Sequence, residues 1–459
     1  MWVGGGIGID PYRTVTTTGV SKMTAEEATA LTAKLDALQN AHDMAGTVNM
    51  EIFYWWCIAL MVAIHAGFLA YEMGSSRTKN VLASGVKNIL AFAFIVPTMF
   101  LFGWWIYGAM PNGFIPIAAT DFAPWDDNMG PNLSDNATGI FWAAFTLFSA
   151  TTASIFSGAV LERIRMSGFI ILAVLLGSVV WIWAASWGWH PEGWMLKQLG
   201  YHDVGAAGVV HTIAGFFALG VLINLGPRVG KYAADGTPLP LLPHNMPLTL
   251  VGLMLIIVGF FGFLGGGIIY NNGGQWTNIY GQQTTLSAFA FNTLMGFAGG
   301  IIGAYWKTRD PFWMMSGALA GIFAAAAALD VLYPPVAFLV GMVGGVIVPI
   351  AGNWLERRGI DDAVGAWAVH GVGGFWGVLV AGIFASGYPN VGDAPAVSFL
   401  GQLTGAVVCA VFGFSTGYAA SYILKMLDLL RVPDNIQIVG LDKVKVPSKS
   451  YPEFLSPAE

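Results

Sequence analysis

Two histidines stand in matching phrases, VHTIAGF at residues 210 to 216 and VHGVGGF at residues 369 to 375, each inside an apolar run. A titratable ring is expensive to bury in such surroundings, so its presence asks for a chemical reason. Two chemistries fit. Each imidazole can hydrogen-bond a neighbouring helix on its own account, or the two can meet edge to edge and share a proton in a narrow lumen. Small residues around both histidines favour close helix approach, which is what the second alternative needs.

The elements that must position these rings are membrane helices. The chain has 459 residues, 10% charged against roughly 25% in a soluble domain, and a mean hydropathy of +0.64. With a net charge of only -6 and no long run of Lys and Arg, no nucleic-acid partner is expected. Cys57 and Cys409 lie in apolar runs without Cys/His ligand spacing and read as packing residues. No metal, no cofactor and no enzyme chemistry is expected.

Crossing about 30 Å of hydrocarbon takes roughly 20 helical residues. Eleven runs qualify, at 51–73, 83–109, 137–160, 167–187, 203–225, 247–269, 285–306, 311–331, 335–354, 364–387 and 396–427, with Pro334-Pro335 as the turn between the eighth and ninth. Residues 1–50 form a polar arm without a cleavable signal peptide of the usual form, carrying a short amphipathic helix that opens on a Thr24 to Glu27 capping box. Residues 51–427 are the membrane domain, and 428–459 a tail. The segments SSRTKN, LERIR, GPRVGK, KTRD, LERRG and the Lys-rich tail fall on alternate loops, whereas the 110–136 loop carries Asp121, Asp126, Asp127 and Asp135. The positive-inside rule then places the amino terminus outside and the carboxyl terminus in the cytoplasm.

On that topology His211 follows Asp203 by about eight residues from the outer surface, and His370 follows Asp362 by about eight from the inner surface. Roughly 12 Å of helix brings both to the midplane. Spans one to five and six to ten therefore read as halves of inverted topology in an all-α membrane protein. Asp203 itself reads as an N-cap with a secondary long-range attraction for cations. Glu72 and Glu162, near Arg77, Arg163 and Arg165, read as structural ion pairs.

The motifs HAGFLAYEMGSSRTKN at 65–80, SGAVLERIR at 157–165, DVGAAGVVH at 203–211, FFGFLGGG at 260–267 and DDAVGAWAVHGVGG at 361–374 together resemble the ammonium transporter family, the Amt, Mep and Rh proteins, through essentially all eleven spans. The resemblance implies a homotrimer in lipid, each subunit with its own narrow pore for ammonium or ammonia lined by the pair His211 and His370. It implies recruitment of ammonium at Trp189 and Phe148, a phenyl gate of Phe148 and Phe263, and deprotonation before passage. Several positions depart from the family pattern. Gly267 stands where a serine is common, so that a serine restored there is expected to tighten binding. Gly365 stands where an aspartate is usual, and an extra His202 adjoins Asp203. The tail resembles the family's GLD segment but lacks the acidic residues that usually follow, which speaks against docking of a PII-type regulatory protein. The same departures suit an alternative, a receptor that binds ammonium with little or no transport and signals to a cytoplasmic partner or output domain.

Overall fold

The computed structural model describes residues 23–117, 137–271 and 275–452, so the four loop aspartates named above and the first residues of the arm lie outside the described residues. The chain divides into two compact units, Met1–Ala45 and Gly46–Glu459. In the first, the capping box is formed: the Thr24 amide donates to Glu27 Oε2 at 2.8 Å and the Glu27 amide to Thr24 Oγ1 at 3.2 Å. The helix it opens runs Ala25–Ser75, in place of the short arm helix and separate first span expected from the sequence. Between the two only Gly46 is a helix breaker, and a single glycine, at about 1 kcal/mol relative to alanine, does not end a helix this long.

Among the described residues ten helices are long and apolar enough to cross a membrane. They are the helix just named (span one), then Thr78–Ala109, Gly139–Ala159, Met166–Leu199, Ala207–Leu225, Met246–Gly265 and Leu286–Thr308 as spans two to seven, and Pro334–Arg357, Trp367–Phe384 and Phe399–Met426 as spans nine to eleven. Span eight, Pro311–Ala326, has 16 residues, fewer than a bilayer crossing needs. Its run Met315 to Ala326 is buried throughout, so protein rather than lipid surrounds it. Glycines make that possible: Gly300 and Gly296 of span seven lie backbone to backbone with Gly317 and Gly321.

The basic loops and the tail interlock on one face. Arg77 pairs with Glu162 through its backbone amide and its Nε, both at 2.6 Å. Arg228 grips Asp361 through its amide, Nε and Nη2, each at 2.9 Å, and Arg163 stands 3.8 Å from the same carboxylate. Burial alone would raise the pKa of Asp361; Arg163 and Arg228 more than reverse this and hold it below the usual carboxylate range. In the tail, Asp442 accepts the amides of Leu82 and Ala83 at 2.9 and 2.8 Å and so caps the start of span two. Expected pairings are corrected in part. Glu162 does pair with an arginine, but Arg163 turns to Asp361, Arg165 to Asp428, and Glu72 takes Lys87 of span two instead. Glu72 stands in the last turn of span one, which ends at Ser75, and turns toward span two rather than to the loop arginines. The opposite face carries an antiparallel hairpin, Ile268–Asn271 with Gln275–Asn278.

Candidate functional site

Asp203 and Asp362 start the two helices that matter. The Asp203 carboxylate accepts the amides of Ala207, Gly208 and Val209 at 2.7, 2.8 and 3.1 Å and the Tyr201 hydroxyl at 3.1 Å. Asp362 accepts those of Ala366 and Trp367 at 2.9 and 2.8 Å. Each carboxylate thus satisfies orphan donors of a helix start, which is the capping role expected of Asp203. Three residues on, the chain passes through the left-handed region at Ala206, φ 67°, and at Gly365, φ 71°. Wide π-type turns follow at both places, Ala207–Thr212 and Trp367–Val372, and they hold the two histidines. The His211 amide, for example, reaches back five residues to the Ala206 carbonyl at 3.1 Å.

The two imidazoles meet: His211 Nδ1 lies 3.1 Å from His370 Nδ1, with both side chains buried. Two ring nitrogens approach this closely only with a proton between them, so one ring donates at Nδ1 and the other accepts. His211 Nε2 is buried without a protein partner. The repeated glycine of the two phrases explains the approach. A methyl group on Gly215 would fall on the backbone of Gly371, and one on Gly374 on the Ala207 carbonyl and beside His211 Cβ. Each histidine turn packs into the glycine that follows the other histidine, one turn further on. Phe323 of span eight stacks over His211, ring centroids 3.7 Å apart, and lies 4.7 Å from the His370 ring. Sequence reading missed it, although it is the one aromatic residue within the run GALAGIFAAAAALD.

Above the pair the aromatic residues form a column. Phe263 is 5.8 Å from His211, Phe148 lies 4.2 Å from Phe263, and Trp189 meets Phe148 edge-on at 5.7 Å. The Trp189 indole donates to the Asp203 carbonyl oxygen at 2.8 Å, tying the column to the helix start. Phe145 and Trp181, also missed from sequence, complete the cluster against Phe148. Trp189 is 2% exposed, so the cluster is closed over rather than open as a vestibule.

The departures have local explanations. Gly365 adopts its left-handed φ beside the Trp313 ring, 3.3 Å from where a Cβ would stand. His202 is engaged apart from the histidine pair: its Nε2 lies 3.0 Å from Asp330, whose other oxygen accepts from Asn278 at 2.7 Å. At Gly267 a Cβ would stand 2.7 Å from the Val204 carbonyl oxygen, closer than real Cβ contacts. This reverses the expectation for a serine there. Gly267→Ser is expected to destabilise by about 1 to 3 kcal/mol, as overpacking does, and to weaken ammonium binding. Thermal unfolding and calorimetric titration check this; tighter binding at unchanged stability would contradict it.

A multi-pass membrane protein with a buried histidine pair at the junction of two matching helix starts, closed on one side by an aromatic column, is the class of protein that the fold and the site define. The chain matches the model of the Ammonium Transporter Family over residues 52–451. It is 31% identical over 431 residues to the ammonium transporter Amt2 of Archaeoglobus fulgidus, covering 88% of each chain. To the Amt2 of Methanocaldococcus jannaschii it is 31% identical over 427 residues, covering 91% of this chain and 93% of the other. Among solved structures, one titled Sensor Amt Protein superposes with a TM-score of 0.76 at 26% identity, covering 87% of this chain and 99% of that one. Mep2 of Candida albicans, at 21% identity and a TM-score of 0.67, shares the fold. The chain belongs to the ammonium transporter family, whose members are multi-pass membrane proteins.

Proposed function

We propose that this protein moves ammonium across the membrane along the column Trp189, Phe148, Phe263, His211, His370, with deprotonation before passage. The observation that carries this reading is the 3.1 Å contact between two buried imidazoles. A bare cation entering hydrocarbon loses many kcal/mol of hydration, whereas removing a proton from an amine whose pKa lies two to three units above neutrality costs only about 3 to 4 kcal/mol. Potassium has no proton to give up, so such a path excludes it. Ring faces of Trp189 and Phe148 attract the ion at about 0.5 to 2 kcal/mol each. Because the cluster is closed, Phe148 and Phe263 must part for each passage, which is the role of a gate. His211 Nε2, without a protein partner, is the nitrogen available to the incoming molecule.

The assembly is a homotrimer with one pore per subunit. Its interlocked basic face is cytoplasmic, the arm 1–50 lies outside, and the tail 428–459 lies within the cytoplasm. A second reading, an ammonium receptor, is favoured by one observation, the similarity to the structure titled Sensor Amt Protein. Expression in a host lacking its own ammonium uptake separates the two. Growth on low ammonium is the result expected of a transporter; saturable binding to the purified protein with no growth would select the receptor.

A further inference from the structure

On the tail side of the histidine pair the fold buries a second polar arrangement, which the column above leaves unused. Glu72 of span one is fully buried, and its Oε2 lies 3.1 Å from Lys87 Nζ of span two, itself buried. Ser157 of span three donates its hydroxyl to Glu72 Oε1 and offers its carbonyl oxygen to Lys87 Nζ. The Phe169 ring lies 5.3 Å from the same ammonium group. Two opposite charges inside membrane helices are costly to maintain, and an apolar pair would pack there at least as well. Structural pairing alone therefore leaves their presence unaccounted for.

Their position supplies a reason. Glu72 lines, with His370, Tyr71 and Ser316, a cavity of about 20 Å³, room for a single water. The Ser316 hydroxyl is buried there beside the Tyr71 hydroxyl. Lys87 lines a different cavity, about 460 Å³, between the start of span two, the start of span four and the tail, among Ser84, Glu162, Arg165 and Lys445. The ion pair is thus the partition between a cavity at the histidines and a larger one at the basic face.

We infer that Glu72 and Lys87 form a proton relay that carries away the proton ammonium leaves on the histidine pair. The inference rests on the transport reading above. The protonated pair gives its proton, through water in the small cavity, to the Glu72 carboxylate, which becomes the neutral acid. Lys87 gives a proton to water in the larger cavity, and the Glu72 acid then reprotonates Lys87. In sum the histidines lose one proton, the larger cavity gains one, and both residues return to their charged forms. A proton on Glu72 leaves Lys87 without its counter-charge in a low-dielectric site, and that imbalance drives the second transfer outward.

Glu72→Gln removes the acceptor but strands Lys87, so Glu72→Gln/Lys87→Met and Glu72→Asp are measured beside it in proteoliposomes. The readouts are ammonium binding by calorimetry and ammonium-evoked charge on a supported membrane. In Glu72→Gln and the double variant, binding is expected to persist while the charge moved falls at least about tenfold, the scale of a lost general acid–base group. Glu72→Asp keeps part of the charge. A double variant that moves as much charge as the unaltered protein would overturn the relay. So would loss of binding and charge together without rescue by Glu72→Asp, which marks a structural pair. An unaltered protein that takes up ammonium without moving charge would likewise overturn the relay, whereas one that binds ammonium but neither takes it up nor moves charge would overturn the transport reading itself.

Discussion

Replacing His211 by aspartate is expected to open the path to potassium. In the unaltered protein the two rings share one proton, 3.1 Å apart, with Phe323 stacked across them and Phe263 above. Nothing there offers a negative charge to a dehydrated cation. A carboxylate at that point, about 4 Å from an ion and in surroundings of effective dielectric near 20, contributes roughly 4 kcal/mol of attraction. Part of this is lost to desolvating the carboxylate, and what remains still lowers the barrier by more than about 1.4 kcal/mol, a tenfold rise in potassium passage. Proton stripping falls with it, because His370 no longer has an imidazole partner. Potassium-evoked current through His211→Asp at least about tenfold above the unaltered protein is the expected result. Unchanged discrimination would mean that the rings serve packing alone.

The largest stability effect is expected away from the histidine pair. Asp361 is the buried anion between Arg228 and Arg163, engaged by three donors of Arg228. Asp361→Asn leaves two buried guanidinium groups without it and is expected to cost about 3 to 5 kcal/mol, the usual penalty for breaking a buried ion pair from one side. The pH dependence follows from the direction of the shift. A carboxyl held below its unfolded pKa stabilises the fold above that value and loses the contribution as pH falls toward the folded one. The acid limb of the stability profile, from about pH 4 downward, is therefore expected to flatten in Asp361→Asn. Thermal unfolding in detergent across pH checks both; an unchanged midpoint with an unchanged acid limb would contradict them.

Much of the histidine site was legible because its residues are marked twice. The phrase V-H-x-[IV]-x-G-F repeats, an aspartate stands the same distance before each histidine, and the glycine after each is the surface on which the other histidine's turn packs. Hydropathy showed the spans because a bilayer demands length, and it overran the end of span eight, expected over 311–331 and formed as Pro311–Ala326, where a 16-residue helix enclosed by protein has no such demand to meet. Three features were beyond reach for a common reason. Phe323, the partner of Glu72 and the space at Gly267 are set by elements distant in the chain, and no local pattern encodes which side chain or carbonyl arrives from across the fold. The continuous first helix was missed through local chemistry, since a polar arm reads as a separate segment even where only Gly46 interrupts the helical run. Aromatic residues at Phe145 and Trp181 were indistinguishable by periodicity from ordinary core packing, and only their convergence on Phe148 sets them apart.

The central claim, that the histidine pair selects ammonium by taking its proton, is tested most directly by comparing currents in proteoliposomes containing the unaltered protein under equal inward gradients of ammonium and of potassium. The account predicts a saturable ammonium-evoked current and none with potassium. Equal currents for the two ions, or saturable ammonium binding with neither current nor ammonium uptake, would contradict it.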